Sequence, residues 1–105
     1  MSVESVEWDE AKRQRNVRIH GVDFPRAGRV FEGARFEGPD PRRRPGEPRW
    51  LALGSVDGLD LLVVFTWRGT TRRIISAWRV GRESKTRYSK VLARRPPASA
   101  GPDAG

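Results

Sequence analysis

Apolar and polar residues alternate over residues 3–8 (Val-Glu-Ser-Val-Glu-Trp), the period of a short strand. Asp9 follows as a helix N-cap, and the helix it opens runs to about His20, with Gly21 placed to end it. Only Ala11, Val17 and Ile19 are apolar there, so this helix is expected to lie over the surface with Trp8 as its anchor. A shorter helix begins near Phe24-Pro25, with proline early enough that its missing N–H costs nothing. Ala27, Val30 and Phe31 recur at i, i+3 and i+4 and form its packing stripe. Glycine and proline recur between residues 33 and 48. Arg35-Phe36-Glu37 reads as a brief strand, and the rest, with Gly38-Pro39-Asp40-Pro41 and the triplet Arg42-Arg43-Arg44, as a solvated loop.

Residues 49–80 predict a three-stranded meander. Arg49 to Val56, Leu59 to Arg68 and Arg72 to Val80 are strands, joined by two-residue turns at Asp57-Gly58 and Gly69-Thr70. Residues 82–92 are helical, with Ser84, Tyr88, Val91 and Leu92 on one side, and the Pro-, Ala- and Gly-rich tail 93–105 is expected to be disordered. The turns fix which side chains share a face. One face then carries the rows Leu53–Leu62–Ala77, Leu51–Val64–Ile75 and Arg49–Thr66–Arg73, with Arg68 and Thr71 one row further out. The other carries Gly54–Leu61–Trp78, Ala52–Val63–Ser76 and Trp50–Phe65–Ile74, and the two N-terminal helices are expected to cover it. The expected architecture is therefore α+β, a small antiparallel meander with two N-terminal helices and one C-terminal helix, in one domain over residues 1–92.

The first of those faces changes from hydrophobic to arginine-rich within one step. Guanidiniums of Arg49, Arg68 and Arg73 around the Thr66 hydroxyl suit an RNA phosphate, because close cations repel unless an anion sits between them. Acidic residues are scarce in these rows, which leaves a ligand as the expected anion; the competing reading has the arginines splayed outward onto glutamate or water. The tryptophans fit core packing better than base stacking.

Composition sharpens this picture. Lys and Arg number 21 against 13 Asp and Glu, a net charge of +8, which favours a polyanionic partner, nucleic acid first. The absence of cysteine excludes disulfides, thiolate metal sites and cysteine nucleophiles. No apolar run reaches the length of a membrane span and the first residues do not open a signal peptide, so a cytoplasmic protein with no membrane partner is expected.

His20 is the only histidine, which rules out a two-histidine ribonuclease mechanism. It can act as a single acid or base, or stabilise the C-terminus of the first helix as a cation. Lys12 lies about two turns earlier on roughly the same side. No carboxylate pair matches a hard-cation site, and no glycine-rich phosphate loop is present, so neither metal nor cofactor is expected. Catalysis would then rest on arginine and lysine around a phosphorane-like transition state, with proton transfer through His20 or Tyr88.

Trp8-Asp9-Glu10-Ala11-Lys12, Asn16, His20-Gly21-Val22, Phe24, Ala27 and Val30-Phe31 resemble the opening of BrnT toxins. Gly54, Leu62-Val63-Val64, Thr66, Arg68-Gly69, Arg73-Ile74-Ile75-Ser76-Ala77 and Tyr88 continue the resemblance in order, to about residue 92. It implies a RelE-like fold and a ribonuclease toxin that inhibits translation, or a catalytically weakened binding module derived from one. It also implies a BrnA-like ribbon-helix-helix antitoxin, with operator DNA bound only through the complex. The family's recurrent polar positions fall on Lys12, His20, Thr66, Arg68 and Arg73. With the register argument this gives Lys12, His20, Arg68 and Arg73 as expected catalytic residues and Arg49, Thr66, Arg79 and Tyr88 as expected substrate contacts. The chain departs from the family pattern at Ile19, where lysine is usual, at Trp78, where arginine is usual, and at Ser84, where glutamate is usual.

Overall fold

The computed structural model describes residues 5–42 and 45–93. In chain order the elements are β1 (Val6–Trp8), α1 (Glu10–His20), α2 (Phe24–Gly28), a 3-10 helix (Arg29–Glu32), β2 (Arg35–Pro39), β3 (Trp50–Val56), β4 (Leu59–Arg68), β5 (Thr71–Arg79) and α3 (Arg82–Ala93). Arg43 and Arg44 of the triplet, and the tail beyond Ala93, lie outside the described residues. Asp9 caps α1 by accepting from the Lys12 N–H at 3.0 Å, and the Gly21 N–H donates to the Val17 carbonyl at 2.9 Å.

The five strands form one mixed sheet in the order β1-β5-β4-β3-β2. β2 to β5 are antiparallel neighbours, and β1 adds to β5 in parallel, with Glu7 opposite Arg73. Both predicted hairpin turns form. Asp57 (φ 53°) and Gly58 (φ 78°) both take left-handed backbone, as a tight turn between twisted strands requires. β2 runs two residues further than expected, to Pro39 opposite Trp50. Its place at the sheet edge explains this, since proline lacks the N–H that a central strand needs.

On one face Ala52, Val56, Leu61, Val63, Phe65, Ile74 and Ala77 pack with Val22, Phe24, Ala27, Val30 and Phe31. α2 and the 3-10 helix supply this cover. Gly54 lets the 3-10 helix lie close, because a Cβ there would sit 3.0 Å from Val30 Cγ1. Only one of the two N-terminal helices therefore covers this face. α1 runs along β5 instead and buries only Asn16, since its inward stripe is polar. On the other face Leu51, Leu53, Leu62 and Val64 pack with Leu92 of α3, and Ile75, Trp78, Val80 and Tyr88 are half-buried around them.

The pairing of β4 with β5 corrects the expected register over half its length. Arg68–Thr71, Thr66–Arg73 and Phe65–Ile74 pair as a straight hairpin would. Then Val64 faces Ser76, so Ile75 is an extra residue, and Val63–Ala77, Leu62–Trp78 and Leu61–Arg79 follow. The expected pairs Val64–Ile75, Val63–Ser76, Leu62–Ala77 and Leu61–Trp78 do not form. The bulge moves Ala77 into the core beneath α2 and turns Trp78 to the opposite face, with Leu62.

A buried ion pair closes one end of the core. The Arg72 guanidinium meets Glu37 Oε2 at 2.8 Å and lies over the rings of Phe31 (4.4 Å) and Trp67 (4.6 Å). It ties β5 to β2 across the intervening strands.

Candidate nucleic-acid site

Lys12, Arg15, Asn16, Ile19 and His20 follow the i, i+3, i+4, i+7, i+8 spacing of one helical face. That stripe is usually apolar; here it is mostly polar and faces Ile75 and Ser76 of β5 across a cleft of about 280 Å³. The bulge brings Ile75 and Ser76 to this one cleft although they are sequence neighbours.

Asn16 holds the two walls together. Its amide Nδ2 donates to the carbonyls of Val22 and Ala77, each at 2.8 Å, and its Oδ1 accepts from the Ala77 N–H and the Ser76 hydroxyl, each at 3.2 Å. β1 ends opposite Ile74, so on its β1 side β5 has no strand partner at Ala77, and the buried Asn16 amide takes that role. α1 is thereby fixed with Lys12 and His20 above the bulge. Among the described residues, Lys12, Arg15 and His20 form no ion pair. The His20 ring is exposed and lies 5.7 Å from the Trp78 ring, tilted by 37°. On another side of the same helix, Arg13 binds Glu10 at 2.6 Å and Asp23 at 3.0 Å, which raises its pKa and anchors α1 to the start of α2.

The arginines expected to surround Thr66 are partnered differently. Arg73 meets Glu7 of β1 at 2.7 Å, and Arg68 meets Glu47 at 3.5 Å with both groups about half exposed. Acidic neighbours are therefore present, contrary to expectation. They come from β1 and from the segment before β3, neither of which the three-strand register contained. The Thr66 hydroxyl is buried and donates to the Pro48 carbonyl at 2.8 Å, which positions the segment carrying Glu47 and Arg49. Arg49 lines a separate depression with Pro48, Glu47 and Arg42. Arg79 is exposed and by strand alternation shares the face of Ala77, away from the cleft. Tyr88 packs half-buried between α3 and the sheet, with the Arg87 guanidinium 5.8 Å from its ring centre.

The cleft thus unites Lys12 and His20, expected from sequence, with Arg15, Asn16 and Ser76, which were not among the expected site residues. The polar occupancy of a helical stripe singles out Arg15 and Asn16; Asn16 and Ser76 stand in the sequence only as positions that resemble BrnT toxins, and the place of Ser76 depends on the bulge. Among the described residues, no three His, Cys, Asp or Glu side chains group as metal ligands, and no helix is long and apolar enough to cross a membrane.

No curated protein matches the sequence. A crystal structure of the Brucella abortus ribonuclease toxin BrnT superposes with a TM-score of 0.58 at 26% identity, covering 76% of this chain and 100% of that one. The family model for the ribonuclease toxin BrnT of type II toxin-antitoxin systems matches residues 8–83, a span that holds both walls of the cleft. The chain belongs to the BrnT family of ribonuclease toxins.

Proposed function

We propose that the cleft between α1 and the bulge of β5 is where this toxin cuts RNA, without a metal ion, and so inhibits translation. The observation that carries this is the stripe of Lys12, Arg15 and His20, three cationic or titratable groups with no acidic partner among the described residues. In RNA the 2′-oxygen attacks the adjacent phosphorus and gives up its proton, the P–O5′ bond breaks, and O5′ takes a proton. The products are a 2′,3′-cyclic phosphate and a 5′-hydroxyl. His20 exchanges the proton, and Lys12 and Arg15 stabilise the extra negative charge on the phosphorane. Arg68 and Arg73 lie along the same face of the sheet and hold flanking phosphates. The half-exposed Arg68–Glu47 contact is weak enough to be exchanged for phosphate. Arg49 and Tyr88 extend the contact surface, and Thr66 acts by positioning the segment before β3.

The fold is assigned to the RelE-like type. The antitoxin is assigned as BrnA-like, with a ribbon-helix-helix DNA-binding part, so that operator DNA is bound only through the complex. The net charge of +8 supports an acidic or nucleic-acid partner. The second reading, a module that binds RNA without cutting it, draws on the engagement of Arg73 by Glu7.

Cleavage of a structured RNA by purified protein in excess chelator decides between them. Fragments ending in cyclic phosphate, lost in Lys12→Ala and His20→Ala, are expected. Cleavage that persists in both variants, or that needs an added divalent cation, contradicts the proposal, and binding without cleavage supports the second reading.

A further inference from the structure

The geometry points to a nucleobase subsite on the indole of Trp78, beside the phosphate-binding stripe. This inference rests on the ribonuclease reading and names what the site takes next to the phosphate. Without the bulge at Ile75, Trp78 would share the buried face with Leu61. With it, Trp78 pairs with Leu62 and stands on the face that carries the cleft. Its inner side rests on the cluster of Leu51, Leu53, Leu62 and Val64, a rigid seat. Towards α1 its ring meets that of His20, which itself lines the cleft with Lys12 and Arg15.

An aromatic side chain seated on a core and bordered by cations is the arrangement that single-stranded nucleic acids use, base on ring and phosphate on cation. The imidazole is smaller than the indole and tilted by 37°, and Trp78 is only half-buried, so part of the indole reaches the surface. The base stacks there, with its own phosphate towards His20 and Lys12. The four hydrogen bonds of Asn16 are already used within the protein, so its amide does not read a base edge. Recognition is through the ring face alone, and the larger surface of a purine is held more tightly than that of a pyrimidine.

The test uses uncleavable 2′-O-methyl oligonucleotides of eight residues: all adenine, all uracil, and a third in which the bases are absent. Binding is followed by fluorescence anisotropy for the wild type, Trp78→Phe, Trp78→Leu and, as a control on the 3-10 helix that covers the opposite face, Glu32→Gln. Leucine keeps the apolar seat and removes the ring face, and a thermal melt of each variant checks the fold. The wild type should prefer adenine. Trp78→Leu should bind the adenine oligomer about tenfold less tightly and lose the preference. Trp78→Phe should fall between the two, and the baseless oligomer should bind the wild type and Trp78→Leu equally. Equal binding of the adenine oligomer by all variants, or an equal loss for adenine and baseless oligomers in Trp78→Leu, overturns the subsite. Base-dependent binding without cleavage of ordinary RNA sustains the subsite and overturns the ribonuclease reading. Cleavage and adenine binding that are both indifferent to Trp78 do the reverse.

Discussion

The two faces of the sheet are built from the same strands and end in opposite conditions. The face beneath α2 and the 3-10 helix is sealed: its largest side chains are fully buried, and the buried Arg72 is matched to Glu37 and enclosed by rings. The face beside α1 is sealed where Leu92 of α3 packs with Leu51, Leu53, Leu62 and Val64 of β3 and β4. Over β5 it opens into a cleft where Lys12, Arg15 and His20 form no ion pair among the described residues and a polar stripe replaces an apolar one. The lesson is that α1 is held by hydrogen bonds at Asn16, not by burial, and this frees its inward stripe for chemistry.

Removing a ring from the sealed face should have the largest effect on stability. Phe65 is fully buried and contacts the rings of Phe31 at 5.2 Å and Trp67 at 5.6 Å. Phe65→Ala should cost about 3–5 kcal/mol in urea denaturation, a large part of the stability of a domain this size. His20→Ala should sharpen the contrast from the other side. Its stability should stay within about 0.5 kcal/mol of the wild type, while RNA cleavage falls about 100- to 10,000-fold.

Asn16→Ala tests the joint between the two regions. It leaves the Ala77 N–H and carbonyl and the Val22 carbonyl without their partner, at a cost of about 1–3 kcal/mol. If α1 depends on this amide, cleavage should fall more than stability does, and hydrogen exchange should quicken in α1 before it does in β4. The smallest effect is expected at Asp60, where the Ser55 hydroxyl and the Lys85 ammonium hold the carboxyl below its ordinary range. A depressed carboxyl stabilises the fold above its unfolded pKa and ceases to do so as pH falls through its folded value. The stability gap between the wild type and Asp60→Asn should therefore be a few tenths of a kcal/mol near neutrality and close below about pH 4.

Much of this was legible in the chain. Asp9 and Gly21 bound α1, the Asp57-Gly58 and Gly69-Thr70 turns are where their residue types require them, and Ala27, Val30 and Phe31 are core. Lys12 and His20 share a cleft as their helical spacing implies. What escaped was non-local. A single inserted residue in β5 reverses the faces of Ala77 and Trp78, and no turn residue announces it. Arg73 is matched by Glu7 because β1 pairs in parallel from a distant part of the sequence, a contact that periodicity does not encode. Arg72 stands in the sequence only as the first residue of the third strand, and its partners Glu37, Phe31 and Trp67 converge only when the sheet closes.

The central claim is that RNA lies along α1 and the bulged part of β5. A nitrogen-15 correlation spectrum of the protein titrated with an uncleavable 2′-O-methyl oligonucleotide tests it most directly. The account predicts that the amides of Lys12, Arg15, His20 and Ser76 shift first and furthest. Shifts centred instead on Arg26, Arg29 and Asp57, at the rim of the sealed face, would contradict it.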